Sequence, residues 1–226
     1  MDCMHAIDAH APDAVSTSHI EAVLAARSPA NAIFSFPPAG PEGKGGTLFL
    51  GGFRACTRAP LEEMGIRGVV NTAHKLESFF VKWGNGLDDV LSDLDIELHR
   101  VPWVDDPEHE IDDADVDAAV LFLSTLLISG QSVLVHCAQG KSRSTTLTLA
   151  AMLLLDPSIS LQDALSIVQS SRPLAQPNPG FLSYLSSLQD SPTRPTRSST
   201  LWAHLSDSVS DHSDLTAPLF SFHLPH

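Results

Sequence analysis

The chain has 226 residues, 43% hydrophobic and 18% charged, a balance that fits one globular domain with extensions better than two full domains. Its 27 acidic residues against 13 basic ones give a formal net charge of −14, which argues against non-specific binding to nucleic acid or to an anionic membrane surface. Three scattered cysteines, Cys3, Cys56 and Cys137, are too few for a disulfide framework and fit a reducing compartment.

Residues 1–46 mix Ala, Ser, His and Pro and end in FPPAGPEGKGG, a linker composition, so a disordered extension is expected there. A short helical pattern covers residues 19–27 (HIEAVLAAR). The first thirty residues contain four acids and no unbroken apolar core, so they read neither as a secretory signal nor as a transit peptide.

TLFLGG (47–52) is a short apolar strand closed by glycines, and LEEMG (61–65) ends a helix at Gly65. IRGVVNT (66–72) is a β-branched strand. Residues 75–93 carry Phe79, Phe80 and Trp83, aromatics that would dock a loop on the core or line a pocket rim. LDIELHRVPW (94–103) is a further strand, cut off by Pro102.

Residues 112–130 start with acids and space Val116, Val120, Leu123 and Leu127 three to four apart, the pattern of an amphipathic helix. SVLVH (132–136) is a buried strand, and 144–155 a largely apolar helix, too short to span a bilayer. Residues 160–173 and 178–188 supply two more helices. Residues 191–226 are Ser/Thr-rich and are expected to form a disordered tail.

Strands alternating with helices predict an α/β domain over 47–190. Its centre would be a mostly parallel twisted sheet of about five strands flanked by helices. A soluble protein of the cytoplasm or nucleus is the expected setting.

The chemistry concentrates in VLVHCAQGKSRS. An apolar strand ends at His136, a loop from Cys137 to Arg143 follows, and Gly140 permits a tight turn that brings backbone close to a ligand. Successive loop N–H groups and the following helix N-terminus make a cradle for a tetrahedral oxyanion, to which Arg143 can add a bidentate fork. Cys137 lies at the base of this positive cradle, a setting that can lower a thiol pKa from about 8.5 to roughly 3.5–7.5. A nucleophile under an anion-binding ring points to attack on a phosphate ester.

HCAQGKSRS is similar to the His-Cys, five-residue, Arg-Ser/Thr signature of cysteine-dependent protein phosphatases. Its Ser-Arg-Ser ending resembles the dual-specificity branch. LFLGG and GIRGVVNTA resemble that family's first two strands, VPWVDDPEHEI its acid loop, and RPLAQPNPGFLSYL its last helix lead-in, so the resemblance covers roughly residues 47–189.

The resemblance implies that Cys137 attacks phosphorus to give a cysteinyl-phosphate. Arg143 and the backbone of Ala138, Gln139, Gly140, Lys141 and Ser142 would hold the phosphate oxygens. His136 would organise the loop and help keep Cys137 ionised, and Ser144 would hydrogen-bond the sulfur. No cofactor or metal is implied. Counting from Pro102 along the family pattern places the general acid at Asp105, with Asp106 the competing register and a good turn former before Pro107. Asn178 and Arg172 fall where the family ties its last helices to the catalytic loop, although Asn capping and Pro at a helix start explain the Asn equally.

The expected substrate is a phosphorylated protein, with a kinase among the candidates. The 46 or so residues before the domain are too few for an upstream kinase-docking module. Lys141 motivates a second reading, a non-protein phosphate ester such as a phosphoinositide, phosphoglucan or RNA 5′ end. The family's lipid phosphatases carry an earlier Lys where this chain has Ala138. A phospho-binding scaffold without activity is a third reading, opposed by the presence of both Cys137 and Arg143. His136–Cys137 as half of a metal site lacks further ligands at suitable spacing. An inert buried Cys137 would leave Gly140, Lys141 and Arg143 unexplained. Cys56 reads as structural, with a redox partnership to Cys137 as its alternative.

Overall fold

The computed structural model describes residues 28–36, 45–73 and 86–208. The helical pattern at 19–27, the aromatics Phe79, Phe80 and Trp83, and Cys3 lie outside these residues. Among the described residues one sheet contains β1 (Ala30–Ser35), β2 (Thr47–Gly52), β3 (Ile66–Asn71), β4 (Glu97–Arg100) and β5 (Ser132–Cys137), in the order β1-β2-β5-β3-β4. The four strands β2, β5, β3 and β4 run parallel, and β1 pairs antiparallel with β2 at one edge.

Parallel neighbours require crossovers, which helices supply. These are α1 (Arg58–Glu63), α2 (Leu87–Asp93) and α3 (Asp113–Ile128), with α4 (Arg143–Leu155), α5 (Leu161–Ser171), α6 (Pro179–Asp190) and α7 (Arg194–Ser208) following the last strand. Strand β5 alternates its side chains between two cores. Val133 and Val135 face the larger one, and Leu134 faces the smaller one under α1 and α2. Helix α4 is buried along its whole length, as an all-round apolar helix must be.

Local signals act as the sequence suggests at several ends. Gly65 takes φ 62° after α1, Asp112 caps α3 by accepting from Ala114 N–H at 2.9 Å, and Asn178 caps α6 by accepting from Phe181 N–H at 2.9 Å. The strand expected over 94–103 is shorter, only Glu97–Arg100. Its start is delayed because Asp95, at φ 53°, turns the chain out of α2 in the left-handed region. No described helix is long and apolar enough to cross a membrane.

Two expectations of disorder are corrected. The segment 1–46 contributes β1, where a bulge between Ala32 and Phe34 lets both Ile33 and Phe34 become fully buried. That bulge breaks the alternation by which a strand is read from sequence. The segment 191–226 contributes α7, which buries Arg194, Ser198, Leu201, Trp202 and Leu205 at helical spacing. Averaging composition over a Ser/Thr-rich tail hides five such positions.

Arg194 explains why α7 stays docked. Its guanidinium donates to the carbonyls of Leu153 (3.0 Å), Asp156 (3.1 Å) and Ile159 (2.9 Å). Trp202 Nε1 donates to Leu155 O at 3.1 Å, so two carbonyls of the last turn of α4, those of Leu153 and Leu155, find donors on α7. Replacing Arg194 by Met removes the donor to the Leu153 and Ile159 carbonyls and should lower unfolding free energy by about 2–3 kcal/mol. Urea denaturation is the measurement, with the exposed Ser199→Ala as a control that keeps the wild-type midpoint. Equal midpoints for both variants would show that α7 does not depend on this contact.

Candidate active site

The loop between β5 and α4 emerges at the C-terminal edge of the parallel strands, where open α/β sheets bind ligands. Its carbonyls all find donors on its outer side. Ala138 O accepts from Phe53 N–H at 3.2 Å. Gln139 O and Gly140 O accept from Arg172 at 2.9 and 2.8 Å. Lys141 O accepts from Gln176 N–H at 2.7 Å, and Ser142 O from Thr146 N–H at 2.8 Å.

In a trans peptide the N–H points opposite to the preceding C=O, so these five bonds turn the N–H groups of residues 139–143 inward. Gly140 makes the turn at φ 67°, and a β-carbon there would lie 2.5 Å from the Gly51 carbonyl carbon. Only glycine fits that position.

Cys137 lies at the centre, 1% exposed, accepting hydrogen bonds on Sγ from Gly140 N–H and Ser144 Oγ, both at 3.2 Å. Burial opposes its ionisation. The Ser144 hydroxyl, the backbone N–H groups of Ser144 and Lys141 and the Arg143 charge outweigh it, and the thiol pKa falls below its ordinary value. Cys56, in contrast, is a free thiol that burial pushes far up, so it stays protonated and inert as an attacking thiol.

His136 is fully buried, its Nδ1 stands 3.4 Å from Cys137 O, and its Nε2 has no partner among the described residues. Burial lowers its pKa to about 4, so the ring is neutral at pH 7 and adds no positive charge beside the thiolate. What it can do for Cys137 is positional. Its carbonyl is held by Thr72, whose N–H and hydroxyl both donate to it at 2.9 Å.

The segment after β4 brings Asp105 to the same cavity, of about 190 Å³, lined also by Cys137, Gln139, Lys141, Ser142 and Arg143. Asp105 Oδ1 accepts from Ser142 Oγ at 2.7 Å and Asn178 Nδ2 at 3.1 Å, and Oδ2 lies 3.6 Å from Arg143 Nε. Asp106 instead accepts from Glu108 N–H at 2.9 Å, outside the cavity, as a turn former does. Trp103 and Phe181 pack with ring centroids 5.9 Å apart and anchor this loop on α6. Gly180 lets the loop approach, since a β-carbon there would overlap the Pro107 carbonyl.

Sequence reading missed Asn31. Its Oδ1 accepts from Arg172 Nη1 at 2.7 Å, which joins edge strand β1 to the guanidinium under the β5–α4 loop. Ser142 was assigned through its backbone, and its hydroxyl contact with Asp105 was not foreseen. Neither contact has a local signal, because the partners stand 141 and 37 residues apart.

A family model described as "Dual specificity phosphatase, catalytic domain" matches residues 48–191. Dual specificity protein phosphatase 1 of Arabidopsis thaliana is 44% identical over 75 residues, which cover 33% of this chain and 37% of that protein. Dual specificity phosphatase 28 of Homo sapiens is 35% identical over 91 residues, 40% of this chain and 51% of its own. The matched region thus spans about half or less of the length of these curated relatives. A crystal structure of a mouse putative dual specificity phosphatase aligns with a TM-score of 0.56 at 27% identity, over 76% of this chain and 94% of that one. The chain belongs to the dual specificity phosphatase family.

The buried neutral His136 makes stability depend on pH. Between its folded pKa of about 4 and the ordinary 6.5, the unfolded chain binds a proton that the folded chain does not. Its contribution is therefore complete above about pH 6.5 and is lost as pH falls towards 4. That loss is on the order of 3 kcal/mol. Urea denaturation between pH 7.5 and 5 should show a shallower pH slope for His136→Asn than for wild type, and parallel slopes would reject a neutral buried imidazole.

Proposed function

We propose that this chain is a protein phosphatase acting on phosphotyrosine and on phosphoserine or phosphothreonine through a cysteinyl-phosphate. The observation that carries this reading is one small cavity shared by the Cys137 loop, Arg143 and Asp105.

The Cys137 thiolate attacks phosphorus, the P–S bond forms, and the ester P–O bond breaks. The leaving oxygen takes its proton from Asp105. Water then attacks phosphorus, gives its proton to the Asp105 carboxylate, and the P–S bond breaks to return thiolate and inorganic phosphate. Ser144 Oγ donates to the departing sulfur. The inward N–H groups of the loop and the Arg143 fork hold the non-bridging oxygens as charge spreads over them. Lys141 adds positive potential at the rim. His136 and Asn178 act by position, the first on the loop backbone and the second on Asp105. Tungstate, present in the mouse relative's complex with zinc tungstate, is a tetrahedral oxyanion of the kind such a cradle accepts.

Phosphate release from a peptide bearing phosphothreonine and phosphotyrosine tests the reading. Wild type should release both phosphates, and Cys137→Ser should release neither. Asp105→Asn should lower kcat by about 10²-fold or more, while Asp106→Asn should stay close to wild type. A large loss in Asp106→Asn alone would move the general acid by one residue.

Ser144 supports the thiolate directly. Ser144→Ala should therefore shift the pH dependence of Cys137 alkylation by iodoacetate to higher pH. An unmoved profile would mean that the loop amides and Arg143 suffice.

A further inference from the structure

The four parallel strands end at the same edge of the sheet, so each delivers the segment that follows it to the rim of the catalytic loop. In the order β2-β5-β3-β4, the turn after β2 borders that loop on one side, and the acid loop after β4 lies on the other. We propose that Arg54, in the 3₁₀ turn Phe53–Cys56 after β2, reads a carboxylate or a second phosphate on a residue next to the one being dephosphorylated. The inference rests on the phosphatase reading above and names a class of substrate within it.

The turn is fixed against the loop. Gly52 stands opposite Cys137 in the β2–β5 register, and Phe53 N–H donates to Ala138 O at 3.2 Å. A β-carbon on Gly52 would lie 3.1 Å from both Ala138 O and the Gln139 carbonyl carbon. Ala138 and Gln139 line the catalytic cavity, so Arg54 leaves the backbone one residue from a peptide unit bonded to the cavity wall. Ala55 and Cys56 are fully buried in the smaller core and anchor the turn, which leaves Arg54 exposed.

Arg54 is also uncommitted. Lys141 and Arg143 belong to the wall of the catalytic cavity. Elsewhere among the described residues Arg58, Arg100 and Arg197 pair with carboxylates. Arg67, Arg172 and Arg194 donate to backbone carbonyls. Arg54 is the remaining described cation and has neither kind of partner there, in a chain with 27 acids against 13 bases. Its guanidinium keeps the whole fork for an anion that arrives from outside.

On the opposite side the acid loop exposes Asp105, Asp106 and Glu108. An anionic flank is opposed there and met at Arg54, which sets the direction in which a peptide crosses the mouth.

The test is a set of phosphotyrosine peptides with alanine flanks, in which each of the three positions on either side is changed in turn to glutamate and, separately, to phosphoserine. The readout is the ratio of kcat/KM for each anionic peptide to that for the alanine-flanked one within a single variant, so a general change in activity cancels. Wild type should show a ratio of about two to five at one position, the range of a single exposed ion pair. Arg54→Ala should bring that ratio to about one, and Arg54→Glu should take it below one. Arg58→Ala, which removes an arginine four residues further on, should keep the wild-type ratio and so separates a local contact from the loss of one charge.

A larger effect of phosphoserine would assign the site to doubly phosphorylated segments, and equal effects to acidic ones; either supports the role of Arg54. A wild type without positional preference, or a preference that Arg54→Ala leaves in place or Arg58→Ala removes equally, overturns it. Failure of wild type on a small aryl phosphate would instead overturn the phosphatase reading. Anisotropy of the same peptides on Cys137→Ser, with and without Arg54→Ala, then still decides whether Arg54 binds the anion.

Discussion

The direction of five carbonyl groups governs everything else at this site. A peptide unit cannot turn its N–H towards a ligand without turning its carbonyl away. A buried carbonyl turned away must still find a donor. Residues 138–142 solve this with donors from Phe53 after β2, from Thr146 in α4, and from Arg172 and Gln176 at the α5–α6 connection, three separate segments of the chain. The inward ring of N–H groups is thus a product of the whole domain. Arg172 carries two of the five and is itself held by Asn31 on β1, so the edge strand belongs to the machinery although it lies before the residues that match the family model.

That ring explains how a sulfur can be buried and yet ionise readily. Taking a thiolate out of water is unfavourable, and Cys137 is nearly inaccessible. Fixed donors replace the lost water without needing to reorganise, which is the property a transition state of spread negative charge requires. Two side-chain donors, Ser142 Oγ and Asn178 Nδ2, hold Asp105 beside the cradle.

Much of this was legible from Cys137, Gly140, Arg143 and Ser144, because a loop with its nucleophile, turn residue and cation lies within eight consecutive residues. Asp105 was legible only through its distance from Pro102, and its separation from Asp106 came from geometry: one carboxylate accepts from the catalytic loop, the other from its own turn. His136 shows the opposite limit. Burial decides the charge of this imidazole, and burial is a property of β5 being the central strand. Asn31 and Arg194 were hidden for the same reason. Their partners are backbone carbonyls or side chains far away in sequence, and the segments around them have the composition of linkers.

The net charge of −14 gives the site its selectivity problem. A chain of net negative charge opposes anions at long range, so an anion gains only where fixed donors meet it directly. The acid loop sharpens this by exposing carboxylates at the rim, while the Lys141 wall leaves one side neutral or positive. Exposed carboxylates at the rim oppose an anion that the inward donors favour, so placement decides which of the two prevails.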